Sequence, residues 1–146
     1  MSDAFSKIFA IILAVSMMYI VPVFYMREET DRVKQTYVLE TVISFVDGVR
    51  NTGILGQEDY NRLVNELGGF NDIYTIELTH CTHSMDDLNG ECYYFADEYY
   101  NAQIFECFER GEDYYMLKTD YLKVVVKKQD GAIMAWYGGS IRNEAY

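Results

Sequence analysis

The chain has 146 residues, half of them apolar, and a formal charge of −11, which suits one folded core and is too apolar for a disordered chain. Between Asp86 and Asp113 nine carboxylates face Arg110 alone. A polyanion would meet repulsion there and no basic stripe elsewhere, so nucleic acid is excluded as a partner.

In chain order, a short tail (1–7) precedes 19 uncharged residues from Ile8 to Met26, flanked by Lys7 and by Arg27, Glu28 and Glu29. At about 1.5 Å per residue this segment is long enough for a single membrane crossing. A retained anchor is therefore expected. The rival is a cleavable signal peptide, with Ala14 and Ser16 as its small residues. Pro22 removes one helical hydrogen bond, a defect that membrane helices tolerate.

Helical periodicity continues beyond the span. Val38, Leu39, Val42, Phe45, Val46 and Val49 share one face, with Glu40, Ser44 and Asp47 opposite. With no Pro or Gly between Arg27 and Asp47, the prediction is an amphipathic spine over 27–51 that ends at the Asn51-Thr52-Gly53 turn. Val38, Val42, Phe45 and Val49 are the expected helix-packing and assembly residues.

Residues 52–146 should form a small α+β domain packed on that spine. A short helix is signalled by Gln57-Glu58-Asp59, with Tyr60, Leu63, Val64 and Leu67 on one face and Gly68-Gly69 at its end. A strand is expected from about Ile73 to His80, then a loop or loose hairpin from Cys81 to Ala96. A further helix should open at Asp97, present Tyr100, Ile104 and Phe108 on one face, and close at Gly111. Leu122, Val124 and Val126 alternate with Lys123 and Lys127, and Asp130-Gly131 marks a two-residue hairpin into Ile133 to Tyr137. The sheet is thus expected to be antiparallel, with two short helices.

Chemistry is sparse. His80, Cys81 and His83, with Cys92 and Cys107, are metal-ligand types in no zinc-finger spacing, so no metal or other cofactor is expected. Cys81 lies between two bases, but adjacency supplies neither attack geometry nor an oxyanion hole. The acids Glu106, Glu109, Glu112 and Asp113 read as solvated charge, and no catalytic residue is assigned. If the domain lies outside the cell, Cys92 with Cys107, or Cys81 with Cys92, could form a disulfide and leave one thiol. The tyrosine pairs Tyr93-Tyr94, Tyr99-Tyr100 and Tyr114-Tyr115 cannot all face one core, so part of them should be exposed for a protein interface.

The stretches Phe45-Val46-Asp47-Gly48-Val49-Arg50-Asn51-Thr52-Gly53, Tyr60, Ile73-Tyr74-Thr75-Ile76-Glu77-Leu78-Thr79-His80 and Tyr137-Gly138-Gly139-Ser140-Ile141-Arg142-Asn143-Glu144 together resemble pilin-like minor pseudopilins of Tad-type, type IV pilus-related systems. The resemblance implies a pilin-like fold and an extracytoplasmic domain. It further implies a structural or accessory role in a pilus-related assembly or secretion apparatus. Partners would be membrane lipid and other pilin-like or secretion-apparatus subunits, including copies of the chain itself. One family feature is missing: with a cut after Ala4, Phe9 stands where the family carries its membrane-embedded glutamate. The alternative is a single-pass tethered binding or sensor module with an acidic, tyrosine-rich face. Assembly through the spine predicts an apolar face only partly covered by its own sheet. The sensor predicts full cover and a separate pocket.

Overall fold

In a computed structural model the backbone is described for residues 2–69, 72–88 and 91–143, and the side chains for the same residues apart from 2–3 and 83–96. The chain divides into two compact units, Met1–Thr36 and Tyr37–Tyr146. The first helix, α1 (Ser2–Thr52), supplies the described part of the first unit and opens the second.

In the first unit α1 is apolar enough to cross a membrane or to serve as a signal sequence, with a mean hydropathy of 2.4 over an 18-residue window. Its large apolar side chains from Phe5 to Met26 are 48% to 78% exposed. The Ser16 hydroxyl donates to Ile12 O at 2.8 Å, so its proton is satisfied within the helix and adds no stray donor to an apolar surface.

The second unit is an α+β domain. After α1 come β1 (Ile54–Leu55), α2 (Gln57–Gly68), β2 (Tyr74–Leu88), β3 (Glu91–Tyr100), α3 (Asn101–Glu109), β4 (Tyr114–Tyr115), β5 (Tyr121–Lys128) and β6 (Ile133–Ser140). Among the described residues, four strands form an antiparallel sheet in the order β3-β2-β5-β6, and β1 pairs with β4. The core face of the sheet carries Ile76, Leu78, Leu122, Val124, Val126 and Ala135. Against them α1 brings Val38, Val42, Val46 and Val49, α2 brings Leu63 and Leu67, and α3 brings Ile104 and Phe108. Each fully buried Val or Leu contributes about 1.5–3 kcal/mol.

Four expectations need correction. The Ile73–His80 strand extends to Leu88, and of the two alternatives for Cys81–Ala96, loop or loose hairpin, the structure has the hairpin, longer and more regular than expected, in register from Thr79↔Tyr100 to Leu88↔Glu91. A ladder of backbone bonds needs no apolar alternation, which is why periodicity missed it. The helix expected at Asp97 begins at Asn101, because Asp97 and Glu98 are paired with Thr82 and Cys81 in that ladder. Its start is fixed by Gln103 Oε1, which accepts the Tyr100 N–H at 2.6 Å. It is anchored to β2 by the Asn101 side chain, which donates to Ile76 O (2.7 Å) and accepts from Leu78 N (2.5 Å).

The third correction concerns Asp130-Gly131. The connection it marks covers Gln129–Ala132, with Lys128 N donating to Ala132 O at 2.8 Å and Gly131 at φ +85°. A register shift at Val126/Lys127 accompanies this longer loop. The fourth concerns the spine. Val38, Val42 and Val49 are 0%, 0% and 3% exposed and Phe45 is half-buried, so the helix-packing half of their expected role is served within the domain. Those valines belong to the domain's own core.

The end of α1 is tied to the end of the chain. Gly53, at φ +71°, closes the helix with its N–H on Val49 O at 2.7 Å. Arg50 Nε donates to Ser140 O (2.9 Å), while Nη1 reaches Asp47 Oδ1 (2.7 Å) and Tyr137 OH (3.4 Å). Arg50 O accepts the Arg142 N–H at 2.9 Å, and Asn143 Nδ2 donates to Asn51 O at 3.0 Å. Gly138-Gly139 makes room for this packing. A Cβ on Gly139 would lie 2.5 Å from the Arg50 guanidinium carbon, and one on Gly138 would lie 2.8 Å from Leu122 O. Gly138→Ala therefore has to move backbone and is expected to cost about 1–3 kcal/mol. Urea unfolding of the full chain in detergent, read from the fluorescence of Trp136, the single tryptophan, measures that loss.

Candidate functional site

The residues singled out for chemistry are separated by strand alternation. His80 faces the core at 4% exposure, whereas its neighbour Cys81 is half-exposed on the outer face of the sheet. The side chains of His83 and Cys92 lie outside the described residues. Among the described residues no three His, Cys, Asp or Glu side chains gather as a metal site. Both ring nitrogens of His80 are already engaged: Nε2 with Asp120 Oδ2 at 2.9 Å and Nδ1 with the Tyr114 hydroxyl at 2.8 Å.

Because a carboxylate only accepts, Nε2 donates to Asp120, and Nδ1 shares a hydrogen bond with the Tyr114 hydroxyl. Asp120 Oδ2 also accepts the Leu117 N–H at 2.8 Å. Asp120 is itself 3% exposed, so this buried chain of bonds joins β2, β4 and the turn before β5. In that turn Thr119 sits at φ +82°, a left-handed conformation that costs a β-branched residue energy and persists because both flanks are pinned. Tyr99 stacks on the imidazole at a centroid distance of 5.6 Å, and Tyr114 meets it edge-on at 5.4 Å.

The tyrosine pairs divide as alternation requires. Tyr99 and Tyr114 are half-buried, while Tyr100 and Tyr115 are 52% and 56% exposed. Tyr93-Tyr94 lies outside the described side chains.

The Cys81 thiol is not activated. Burial pushes the Cys81 thiol pKa up, Glu98 adds to this and Lys123 partly offsets it, which disfavours the nucleophilic thiolate. Cys107 is a free thiol that accepts a hydrogen bond from Arg110 Nη2 at 3.2 Å. The expected Cys92–Cys107 pairing has its other half outside the described side chains.

A cleft between the second half of α1 and α2 went unnoticed in the sequence. It holds about 330 Å³. From α1 it is lined by Thr41, Ser44, Gly48 and Thr52, small residues three or four positions apart, over a floor of Phe45 and Val49. From α2 it is lined by Asp59, Arg62, Leu63 and Glu66. A Cβ on Gly48 would meet nothing within 4 Å. Arg62 is committed to Asp59 in an ion pair. The signal that could have found this cleft is the Ser44-Gly48-Thr52 spacing, which allows close approach of another chain.

The buried bonds set two expectations for stability. His80→Leu removes the proton donor from a buried carboxylate and should cost about 3 kcal/mol or more in urea unfolding, since one partner of a buried pair is left behind. The second concerns alkali. Burial first, with Tyr99, Cys107 and Asp120 adding, raises the Tyr114 pKa above its ordinary value of 10.0. Burial likewise raises Tyr60. The folded state thus favours the protonated phenols, so their contribution is complete below the unfolded-state value and is lost as pH rises above it towards the folded-state value. Unfolding free energy should fall above about pH 10, and Tyr114→Phe should flatten that fall while lowering stability at neutral pH.

No protein-family model, curated protein or solved structure matches the chain.

Proposed function

We propose that this chain is a membrane-anchored, pseudopilin-like structural or accessory subunit of a type IV pilus-related, Tad-like assembly or secretion apparatus, with its C-terminal domain on the extracytoplasmic side. The observation that carries the reading is the division of labour along α1. Its apolar first part is uncovered, and its later part is the spine under an antiparallel sheet. An uncovered apolar helix needs lipid or other helices around it. Support also comes from where the resembling stretches lie: the end of α1 and the end of β6 are bonded to each other through Arg50, and the first half of β2 runs inside the same sheet.

Lateral contacts in such an apparatus fall to the apolar segment and to exposed surfaces of the domain, since Val38, Val42 and Val49 are covered. That cover favours a second reading: a tethered binding or sensor module that receives a partner without joining a polymer. On both readings the chain acts by contact, with no bond made or broken.

Two measurements separate the readings. Gentle detergent extraction and affinity purification of the full chain from its native membrane should co-isolate other single-span subunits in fixed ratio with it. Recovery of the chain alone would favour the tethered module. For sidedness, a membrane-impermeant maleimide added to intact cells after an impermeant reductant should label the cysteines of the domain, and labelling that appears only after the membrane is opened would place the domain in the cytoplasm.

A further inference from the structure

We propose that the outer face of the four-stranded sheet, at the end of the domain where α1 enters it, rests in the headgroup zone of a phospholipid bilayer. The inference depends on reading the first unit as a membrane anchor and adds a second, shallower contact with the same lipid.

Strand alternation builds the patch. Ile73, Thr75 and Glu77 point away from the core that Ile76 and Leu78 join. The register sets Thr75, Lys127 and Ile133 in one row and Glu77, Val125 and Trp136 in the next. The shift at Val126/Lys127 keeps Ile133 on the same face as Trp136, with Met134 and Ala135 buried between them. Ile73, Ile133 and Trp136 are 70%, 57% and 60% exposed. The buried faces of α1, α2 and α3 pack on the opposite side of the sheet, so no described helix covers these three side chains.

Position selects the occupant. α2 follows α1 after residues 53–56 and shares a cleft with it, so it runs back along α1 and brings Gly68, and then β2, to the end where Tyr37 enters the domain. The other end of α1 is tied through Arg50 to Ser140 and Arg142, which leaves Ile133 and the loop before it at the entry end as well. Ile73 lies beside Lys128, Gln129 and Asp130 of that loop. Residues 27–36 alone separate Met26 from Tyr37, and ten residues reach at most about 35 Å. An anchor in lipid therefore holds this end of the domain within that reach of the headgroups.

Composition agrees with position. Tryptophan and lysine both favour the zone between hydrocarbon and water, where an apolar body and a polar tip are each satisfied, and exposed isoleucine adds apolar area to bury there. The acidic stretch from Asp86 to Asp113 would be repelled by anionic lipid. On this face Lys123, Lys127 and Lys128 instead balance Asp72, Glu77 and Asp130, with Lys127 held by Glu77 at 2.7 Å.

Trp136 is the single tryptophan, so its emission reports on the domain and not on the apolar segment. The full chain is reconstituted in phosphatidylcholine vesicles, with or without bromine on the acyl-chain carbons nearest the headgroups, and flotation with the vesicles checks the anchor. Brominated lipid should quench Trp136. The double variant Ile73→Asp, Ile133→Asp should lose that quenching, whereas Leu117→Asp, a comparably exposed position between β4 and β5, should keep it. The urea unfolding midpoint of each variant in detergent verifies that the fold is kept.

Flotation without quenching would overturn the proposal and leave the anchor standing. Trp136 shielded from aqueous iodide but not quenched by brominated lipid would mean that another protein surface, a second copy included, covers the patch, and would equally overturn it. Quenching that survives the double variant, or that Leu117→Asp also abolishes, would have the same force. Failure to float would remove the anchored reading itself and this inference with it.

Discussion

The apolar face of the second part of α1 has to be covered, and the rest of the domain follows from how this is done. Val38, Val42, Val46 and Val49 lie along one side of the helix, all nearly or fully buried. The antiparallel sheet offers a matching stripe through Leu78, Leu122, Val124 and Val126, and strand alternation places Lys123 and Lys127 of β5 on the other face. The two short helices then cover the margins that one helix leaves open, with Leu63 and Leu67 on α2 and Ile104 and Phe108 on α3.

Polar groups fix the register of this packing, which apolar contact alone would leave loose. Arg50 joins the end of the spine to the last strand through Ser140 and to the tail through its own carbonyl. Asn101 locks the start of α3 to β2 from both sides. His80 and Asp120 do the same between β2 and the turn before β5. Each uses a directional bond in a place where a displacement by one residue would strand a buried donor or acceptor.

Much of the fold was legible because periodicity is strong where one face is buried. The spine valines, Leu63 and Leu67 of α2 and the alternation in β5 could all be read directly, and Gly53 marked the end of α1, whereas Leu39 and Val64, expected on the same two faces, are exposed. The long hairpin was hidden because Thr, Cys, His and Asp follow one another in it without alternation, and backbone pairing does not write itself into side-chain polarity. The start of α3 was misplaced for a related reason: Asp97 resembles a cap, but the deciding groups are Gln103 and Asn101, whose partners lie on the neighbouring backbone. The cleft was not legible, because it depends on the spacing of two helices that no local pattern encodes. His80, Tyr114 and Asp120 are far apart in sequence and meet only through the sheet.

The bond between Arg50 and Ser140 spans 90 positions, and this imposes an order of events during synthesis. At on the order of 5–20 residues per second, several seconds separate the emergence of the spine from that of the strand that closes on it. Through that interval the apolar N-terminal segment is already made, while the valine face still lacks most of its cover. The apolar helix is therefore complete long before the domain that its second part carries, and a chain truncated before β6 would stay in that state.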